Sequence, residues 1–134
     1  MKKNKYVFAV NSYQKAVDAI QSCINNRYFP IIYIKFFIIN GLGPDWIKEL
    51  NYLLEKKFSK KNFKIYVDCK KNYGLFISLV DQKISYIKIN ANKQTFKRLN
   101  EIAQKNKVLL NPKFSIVDLF KIKKINKKID KILI

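Results

Sequence analysis

Five small polar residues, each at the end of a short apolar run, are the positions where this sequence could form a ligand site. They are Asn11, Asn40, Asp68, Asn90 and Asn111, and they follow YVFAV, IIYIKFFII, FKIYV, ISYIKI and VLL. Strands that alternate with helical patterns of about 10–15 residues are typical of βαβ units around a parallel sheet. Ligands bind at the carboxyl ends of such strands. The five residues therefore define a possible pocket at one sheet edge, although Asn and Asp after a strand are also common helix N-caps.

Asp68 and Cys69 are the neighbouring residues whose side chains could most readily take part in a reaction. An acid after the third strand could ligate a metal or accept a phosphoryl group, and a thiol beside Lys70 and Lys71 near a helix N-terminus favours the thiolate. The chain contains no histidine, however, which excludes a Cys-His pair and a Ser-His-Asp triad. The 9 acids lie in separate stretches and offer no adjacent pair for two-carboxylate chemistry. The sequence predicts a protein without catalytic residues, metal or cofactor.

The charge balance is strongly basic. The formal net charge is +19, from 28 basic and 9 acidic residues, and 26 of the basic residues are Lys. Such an excess favours nucleic acid or an anionic membrane as a partner. A surplus of Lys, Ile and Asn is also what an AT-rich genome encodes, so the charge could be compositional only. Arg, the residue suited to bidentate contacts with guanine, is nearly absent.

The lysines that could bind a polyanion lie in two segments. They are Lys60, Lys61, Lys64, Lys70 and Lys71 around the third strand, and Lys121, Lys124, Lys127, Lys128 and Lys131 near the C-terminus. The first segment also carries aromatic residues, of which Tyr66 and Tyr73 are expected to be exposed as stacking platforms for bases. Phe63, Ile65 and Val67 alternate like the buried face of a strand. The function that this pattern predicts is a non-enzymatic binding module for a polyanion such as RNA.

The periodicity predicts five strands and four intervening helices. The strands cover residues 6–10, 31–39, 63–67, 84–89 and 108–110; the helices begin at Ser12, Pro44, Asn72 and Lys93. We expect a three-layer α/β sandwich with a five-stranded, mainly parallel sheet in the order 2-1-3-4-5. That order leaves the second strand at an edge, which accommodates Lys35. Residues 1–113 would form the α/β domain and residues 114–134 a helical extension.

The C-terminal segment has a different pattern. Ser115 and Asp118 are placed like a weak capping box at the start of a helix. From Lys121 onward the sequence predicts a basic amphipathic helix whose apolar stripe is Ile122, Ile125, Ile129 and Ile132. A helix this short is marginal alone, so it should be helical only when docked. Its own domain, a protein partner and an anionic membrane surface are the alternatives.

Length and cysteine content set further bounds. A chain of 134 residues is of one-domain length, and its longest apolar run, residues 31–39, is far below the ~18 residues of a membrane span. The N-terminal segment MKKNKYVFAV lacks the small-residue cleavage site of a signal peptide. Two cysteines make no disulfide framework and suit a reducing compartment. A cytoplasmic protein without a transmembrane segment is expected.

The layout of five βα units, with Asp68 after the third strand and Leu109-Leu110-Asn111-Pro112 after the fifth, resembles a bacterial response-regulator receiver domain. Asn11-Ser12 stands where that family has an acidic pair, and Asn111 stands where it has a lysine. The resemblance therefore implies a degenerate receiver that cannot hold magnesium and a phosphoryl group. Such a domain would act as a scaffold through protein contacts, which is the alternative to polyanion binding.

Overall fold

The computed structural model describes residues 5–134. The strands are β1 (Tyr6–Ala9), β2 (Ile31–Ile34), β3 (Lys64–Lys70), β4 (Tyr86–Ile89), β5 (Leu109–Leu110) and β6 (Ser115–Asp118). The helices are α1 (Tyr13–Asn25), α2 (Phe36–Leu42), α3 (Pro44–Phe58), α4 (Tyr73–Asp81), α5 (Lys93–Lys105) and α6 (Ile125–Leu133). A 3-10 turn, Lys60–Asn62, lies between α3 and β3.

Within residues 5–134 the six strands form one parallel sheet in the order β5-β4-β3-β2-β1-β6. The predicted α/β class, the parallel sheet and the C-terminal helix are confirmed. The predicted number of five strands and the receiver-like order 2-1-3-4-5 are wrong. Each strand from β2 to β5 is added beside its predecessor, and the last strand then returns to the far side of β1. Ser115 pairs there with Tyr6, and Asp118 with Ala9.

Strand β6 lies where the sequence predicts the start of a helix. Ile116 and Val117 are β-branched and favour a strand. Backbone pairing with β1 decides the outcome, because the Ser115 N–H donates to the Lys5 carbonyl at 2.8 Å and the Leu119 N–H to the Ala9 carbonyl at 3.0 Å. Residues 114–134, assigned from sequence to a helical extension, thus contribute a strand to the sheet itself.

Strand β2 is shorter than the apolar run that contains it. The run 31–39 was expected to be one strand, but β2 ends at Ile34 and α2 begins directly after Lys35. The turn at Lys35 lets Ile39 point into the core, where it is 1% exposed. Gly43 ends α2 with a φ of 85°, a conformation that glycine adopts without steric cost. As a result Asn40 lies within a helix and not at the end of a strand.

The helix starts follow the predicted capping chemistry. The side chains of Ser12, Asn72 and Asn92 accept hydrogen bonds from the backbone N–H three residues later, at 3.2, 2.9 and 2.8 Å. These residues satisfy the unpaired donors of the first turns of α1, α4 and α5. The caps lie one to four residues beyond the Asx residues that end the apolar runs. The N-caps are therefore neighbours of those Asx residues and not the Asx residues themselves.

The two faces of the sheet are covered differently. Alternate strand residues, such as Phe8, Ile32 and Val67, join the buried residues of the helices in one large core cluster. The opposite face, which we call the aromatic face, comprises Val7, Ala9, Ile31, Tyr33 and Tyr66, with Phe29, Tyr86, Phe114 and Phe120 packed against them. Among the residues described, no buried helical side chain joins this second cluster. Right-handed crossovers between strands added in one direction place their helices on one face, which accounts for the arrangement.

The connection from β5 to β6 crosses the aromatic face. In a flat sheet the two edge strands would lie roughly 24 Å apart at a spacing of ~4.8 Å between neighbours. The chain from Leu110 to Ser115 can span at most about 18 Å. The sheet must therefore curl around this crossover. Phe114 lies on the inside, with its ring centroid 6.1 Å from that of Tyr66 and 5.4 Å from that of Tyr86.

Tyr66 is covered by this crossover. The sequence predicts Tyr66 as exposed, but it is 3% exposed, so that expectation is wrong. Phe63, Ile65 and Val67 are buried on the helix-covered face, as their alternation predicts. Tyr73, the other predicted platform, is 39% exposed.

Helix α6 docks on its own domain. It packs beside α1, and Ile125 and Ile129 are 4% and 0% exposed within the main core cluster. The side-chain amide of Asn26, after α1, donates to Asp130 of α6 at 2.7 Å. Of the three docking alternatives for this helix, the structure shows the intramolecular one, and the centre of its isoleucine stripe is part of the core.

Replacing Ile129 with alanine should destabilise the protein by about 2–5 kcal/mol, because it removes buried methylene and methyl groups and leaves a cavity. The matched control is Ile134→Ala, since Ile134 is 96% exposed, and its effect should stay within about 0.5 kcal/mol. Urea unfolding followed by circular dichroism measures both. Equal stabilities of the two variants would contradict the placement of α6 in the core.

Candidate functional site

A basic cavity of about 510 Å³ lies at the amino ends of β3 and β4, next to the C-terminal ends of α3 and α4. Four lysines line it: Lys60, Lys61, Lys64 and Lys83. Among the described residues that line it, Glu55 is the only acid. We call this cavity the amino-edge cleft. All four lysines are exposed. The Lys83 ammonium donates to the Asn106 side chain at 2.8 Å, and the Lys64 ammonium lies over the rings of Phe29 and Tyr86, so each must turn from these contacts to reach an anion in the cleft.

A tight turn places two of these lysines. Helix α3 ends at Ser59, whose φ of 73° reverses the chain into the 3-10 turn Lys60–Asn62. The side-chain amide of Asn62 donates to the Phe58 carbonyl at 2.6 Å, and the Asn62 N–H donates to the Ser59 carbonyl at 3.1 Å. These bonds satisfy groups at the helix end and hold the turn against α3. Lys60 and Lys61 are thereby fixed beside the first residue of β3.

Basic residues also follow the ends of other helices at this edge. Arg27, Lys83 and Lys107 each lie two residues beyond a helix, after α1, α4 and α5, and their φ values are 54°, 62° and 60°. This left-handed conformation costs an L-residue roughly 1–2 kcal/mol, and glycine is the usual residue there. A cation near a helix C-terminus is favoured by the helix dipole, which offsets part of that cost. The amino edge of the sheet therefore carries three cations, Arg27, Lys83 and Lys107, at strained backbone positions.

A second cavity, of about 430 Å³, adjoins the amino-edge cleft. Its lining includes Arg27, Phe29 and Lys61, and Lys61 lines both cavities. Lys64 lies near two rings, since its Nζ is 6.0 Å from the ring centroid of Phe29 and 5.5 Å from that of Tyr86. Cations beside aromatic rings are the combination that single-stranded nucleic acids require. The two cavities share Lys61 and lie side by side along the amino edge.

The predicted lysines do not form one surface. Lys60, Lys61 and Lys64 meet in the amino-edge cleft, whereas Lys70 and Lys71 lie at the other end of β3, about 20 Å away at ~3.3 Å per strand residue. The C-terminal lysines lie on or just before α6, which packs on α1; they are Lys121, Lys124, Lys127, Lys128 and Lys131. The structure therefore divides the predicted set into three separate locations.

Sequence reasoning missed Arg27, Lys83 and Lys107. A recurrent tripeptide could have shown them, because each follows an amide residue and precedes a buried apolar one. The three copies are Asn26-Arg27-Tyr28, Gln82-Lys83-Ile84 and Asn106-Lys107-Val108. The repeat marks the turn from each helix into the next strand, and parallel strands bring such turns to the same edge.

The five Asx residues do not share a cavity. Asp68 lines a cavity of about 250 Å³ on the aromatic face, and the residues that line it include none of the other four. Asn40 lies within α2. The Asn111 side chain accepts from the Ile89 N–H at 2.8 Å and donates to the Ile89 carbonyl at 3.1 Å, so it takes the place of a further strand residue. Asn11 and Asn90 are exposed after their strands.

The neighbouring lysines favour a thiolate at Cys69 in the sequence, but the structure does not. Its side chain points to the helix-covered face and is 0% exposed. Burial, with a further contribution from the charge of Asp68, raises the pKa of Cys69 to about 12. Burial likewise raises the pKa of Cys23 to about 12. Neither thiol is a nucleophile at neutral pH. Among residues 5–134 no group of three or more Cys, Asp or Glu residues is placed to hold a metal ion.

Comparison with known proteins adds no relative, since no protein-family model, curated protein or solved structure matches this chain. In the part of the chain that the structure describes, no helix combines the length and the apolar character needed to cross a bilayer.

Both cysteines should resist a thiol reagent in the folded protein at pH 8, because each is buried and protonated there. Reaction with a chromogenic disulfide should release two equivalents only after unfolding in urea. Rapid release of one equivalent from the folded protein would show an accessible thiolate and contradict this placement.

Alkaline pH should destabilise the fold through the buried tyrosines. Burial, followed by the charge of Asp68, raises the pKa of Tyr66 to about 12, and the same two causes lead the upward shift in the pKa of Tyr33. The unfolded chain loses these protons near pH 10, so the free energy of unfolding should fall as the pH rises from about 10 towards 12. Urea titrations across this range should show a shallower fall in Tyr66→Phe, and identical slopes would contradict the prediction.

Proposed function

We propose that this chain is a non-enzymatic binding module that holds a polyanion, such as single-stranded RNA, along the amino edge of its sheet. The observation that carries the proposal is the convergence of Lys60, Lys61, Lys64 and Lys83 on one cavity with a single acid among its described lining residues. Ammonium groups gathered in a cleft attract phosphates and release their counterions, which drives association.

The proposed site does not depend on the total charge of the chain. Lysines also occur on α1, α5 and α6, outside the residues that line the cleft, and in the last turn of α3 beside it, as expected of a compositional surplus. The amino edge differs from these surfaces because its lysines line one cavity. Arg27, Lys83 and Lys107, at the same edge, occupy backbone conformations that glycine would adopt at lower cost, so a cation stands at each of these positions despite the strain.

The proposed mode of binding has two parts. The lysines contact phosphates, and the half-buried rings of Phe29 and Tyr86, packed on the aromatic face beside Lys64, offer only their outer edges to a base. The chain has only 2 Arg, Arg27 and Arg98, so bidentate reading of guanine is limited. Binding should therefore depend on charge and strandedness more than on base sequence.

A binding role agrees with the chemistry of the chain. The sequence has no histidine, and both thiols are protonated at neutral pH in the folded state. Catalysis of hydrolysis or group transfer would need a general base or nucleophile that neither thiol supplies.

Removing two cleft lysines should weaken RNA binding. In Lys60→Gln/Lys61→Gln, the affinity for a single-stranded oligonucleotide should fall roughly tenfold or more at about 50 mM salt, and the slope of log K against log salt should decrease by about 1.4. The matched control, Lys127→Gln/Lys128→Gln on α6, removes the same charge and should retain most of the affinity. Fluorescence anisotropy over a salt series measures both quantities.

A third variant in the same experiment separates binding from folding. Lys83→Gly removes a cleft charge and also the left-handed strain, so binding should weaken while the stability is kept or increased. Equal losses in the cleft and α6 double variants would show that the attraction is diffuse and overturn the proposed site. Retention of full affinity by the cleft variants would overturn it as well.

A further inference from the structure

A second site lies at the opposite end of the sheet, where the strands of the aromatic face end. A cavity of about 250 Å³ opens there, and its lining includes Tyr33, Lys35, Phe37, Asp68 and Lys70. Asp68 is in register with Lys88 of β4, and Lys35 follows Ile34, the partner of Val67. A carboxylate is thus flanked on both sides by lysines at the carboxyl ends of parallel strands, where α/β sheets bind ligands.

The carboxylate of Asp68 has unused acceptor positions. The Tyr33 hydroxyl donates to its Oδ2 at 3.3 Å, and the Lys70 N–H donates to its Oδ1 at 2.9 Å. Each oxygen can accept about two hydrogen bonds, so one position remains on each. Asp68 is only 9% exposed, and among residues 5–134 no lysine or arginine nitrogen lies within 4.0 Å of it. A nearly buried carboxylate with two adjacent free acceptors matches two neighbouring hydroxyl groups of a ligand.

The surrounding charges define the rest of that ligand. Lys35 and Lys70 both line the cavity, so a ligand cation at Asp68 would be repelled while neutral hydroxyls would not. Lys35 is held by Asp118, at 2.5 Å, and Lys70 lies over the ring of Phe36, at 5.2 Å from its centroid. Both ammonium groups are therefore positioned at the cavity, where a phosphate could replace Asp118 as the partner of Lys35.

The size and the rim of the cavity favour a small ligand. Its volume of about 250 Å³ is below the ~300–1,000 Å³ of pockets that hold drug-sized molecules. Phe37 and Ile116, which are 61% and 45% exposed, offer apolar surface to the C–H groups of a sugar ring. We propose that this cavity binds a small phosphorylated sugar, with Asp68 accepting hydrogen bonds from two adjacent hydroxyls and Lys35 and Lys70 contacting the phosphate. This site is separate from the amino-edge cleft.

Isothermal titration of the full chain tests the proposal with ribose 5-phosphate, 2-deoxyribose 5-phosphate and inorganic phosphate. Ribose 5-phosphate should bind at least about tenfold more tightly than the other two, because only it supplies both the adjacent hydroxyls and the phosphate. Equal affinity for all three probes would mean charge attraction alone and overturn the site, as would no binding of ribose 5-phosphate.

Matched variants locate the binding. Asp68→Asn and Lys70→Gln should each weaken ribose 5-phosphate binding about tenfold or more, while Asp81→Asn and Lys71→Gln, which make the same changes at exposed positions outside the cavity, should not. Circular dichroism confirms that each variant is folded. In amide NMR spectra the ligand should shift residues 33–37 and 68–70. Shifts confined to residues 60–64 would assign the sugar phosphate to the amino-edge cleft and overturn this proposal without affecting the first.

Discussion

The arrangement of this protein depends on one geometric constraint, the short connection between the two edges of its sheet. Residues 111–114 are too few to join β5 and β6 across a flat sheet, so the sheet curls and the connection lies inside the curve. Phe114 then packs against Tyr66 and Tyr86 and takes the place of a helix on that face. The burial of Tyr33 and Tyr66 and the raised pKa of each hydroxyl follow from this curvature.

Local signals in the sequence predicted the elements better than their order. The helix Lys93–Lys105, the cap at Ser12 and the alternation from Phe63 to Val67 were predictable because capping and periodicity act over a few residues. Strand β6 and the strand order were not, since pairing with β1 links residues more than a hundred positions apart. The break at Lys35 was hidden because an apolar run carries no period that distinguishes a strand from a helix entering the core.

The candidate site shows the same division. Lys60, Lys61 and Lys64 were identifiable as a local cluster, and the turn after α3 keeps them together. Lys83 belongs to the same cleft only because β3 and β4 are parallel neighbours, which no local pattern reveals. The sequence assigns the α6 lysines to a polyanion surface, but an amphipathic helix has the same pattern whether its apolar stripe meets a partner or, as here, its own core. The sequence shows which residues carry a positive charge, but it does not show which of them meet in one cavity.

The pairing of β1 with β6 also has a consequence for how the chain is made. Strands β2 to β5 can each dock on the strand before them as they leave the ribosome, so one side of the sheet can grow in step with translation. The other side of β1 cannot be covered until Ser115–Asp118 emerges, about a hundred residues later. At ~5–20 residues per second that delay lasts roughly 5–20 s. During this time β1 is paired only with β2, so its other edge and its apolar face are exposed to chaperones or to a neighbouring nascent chain.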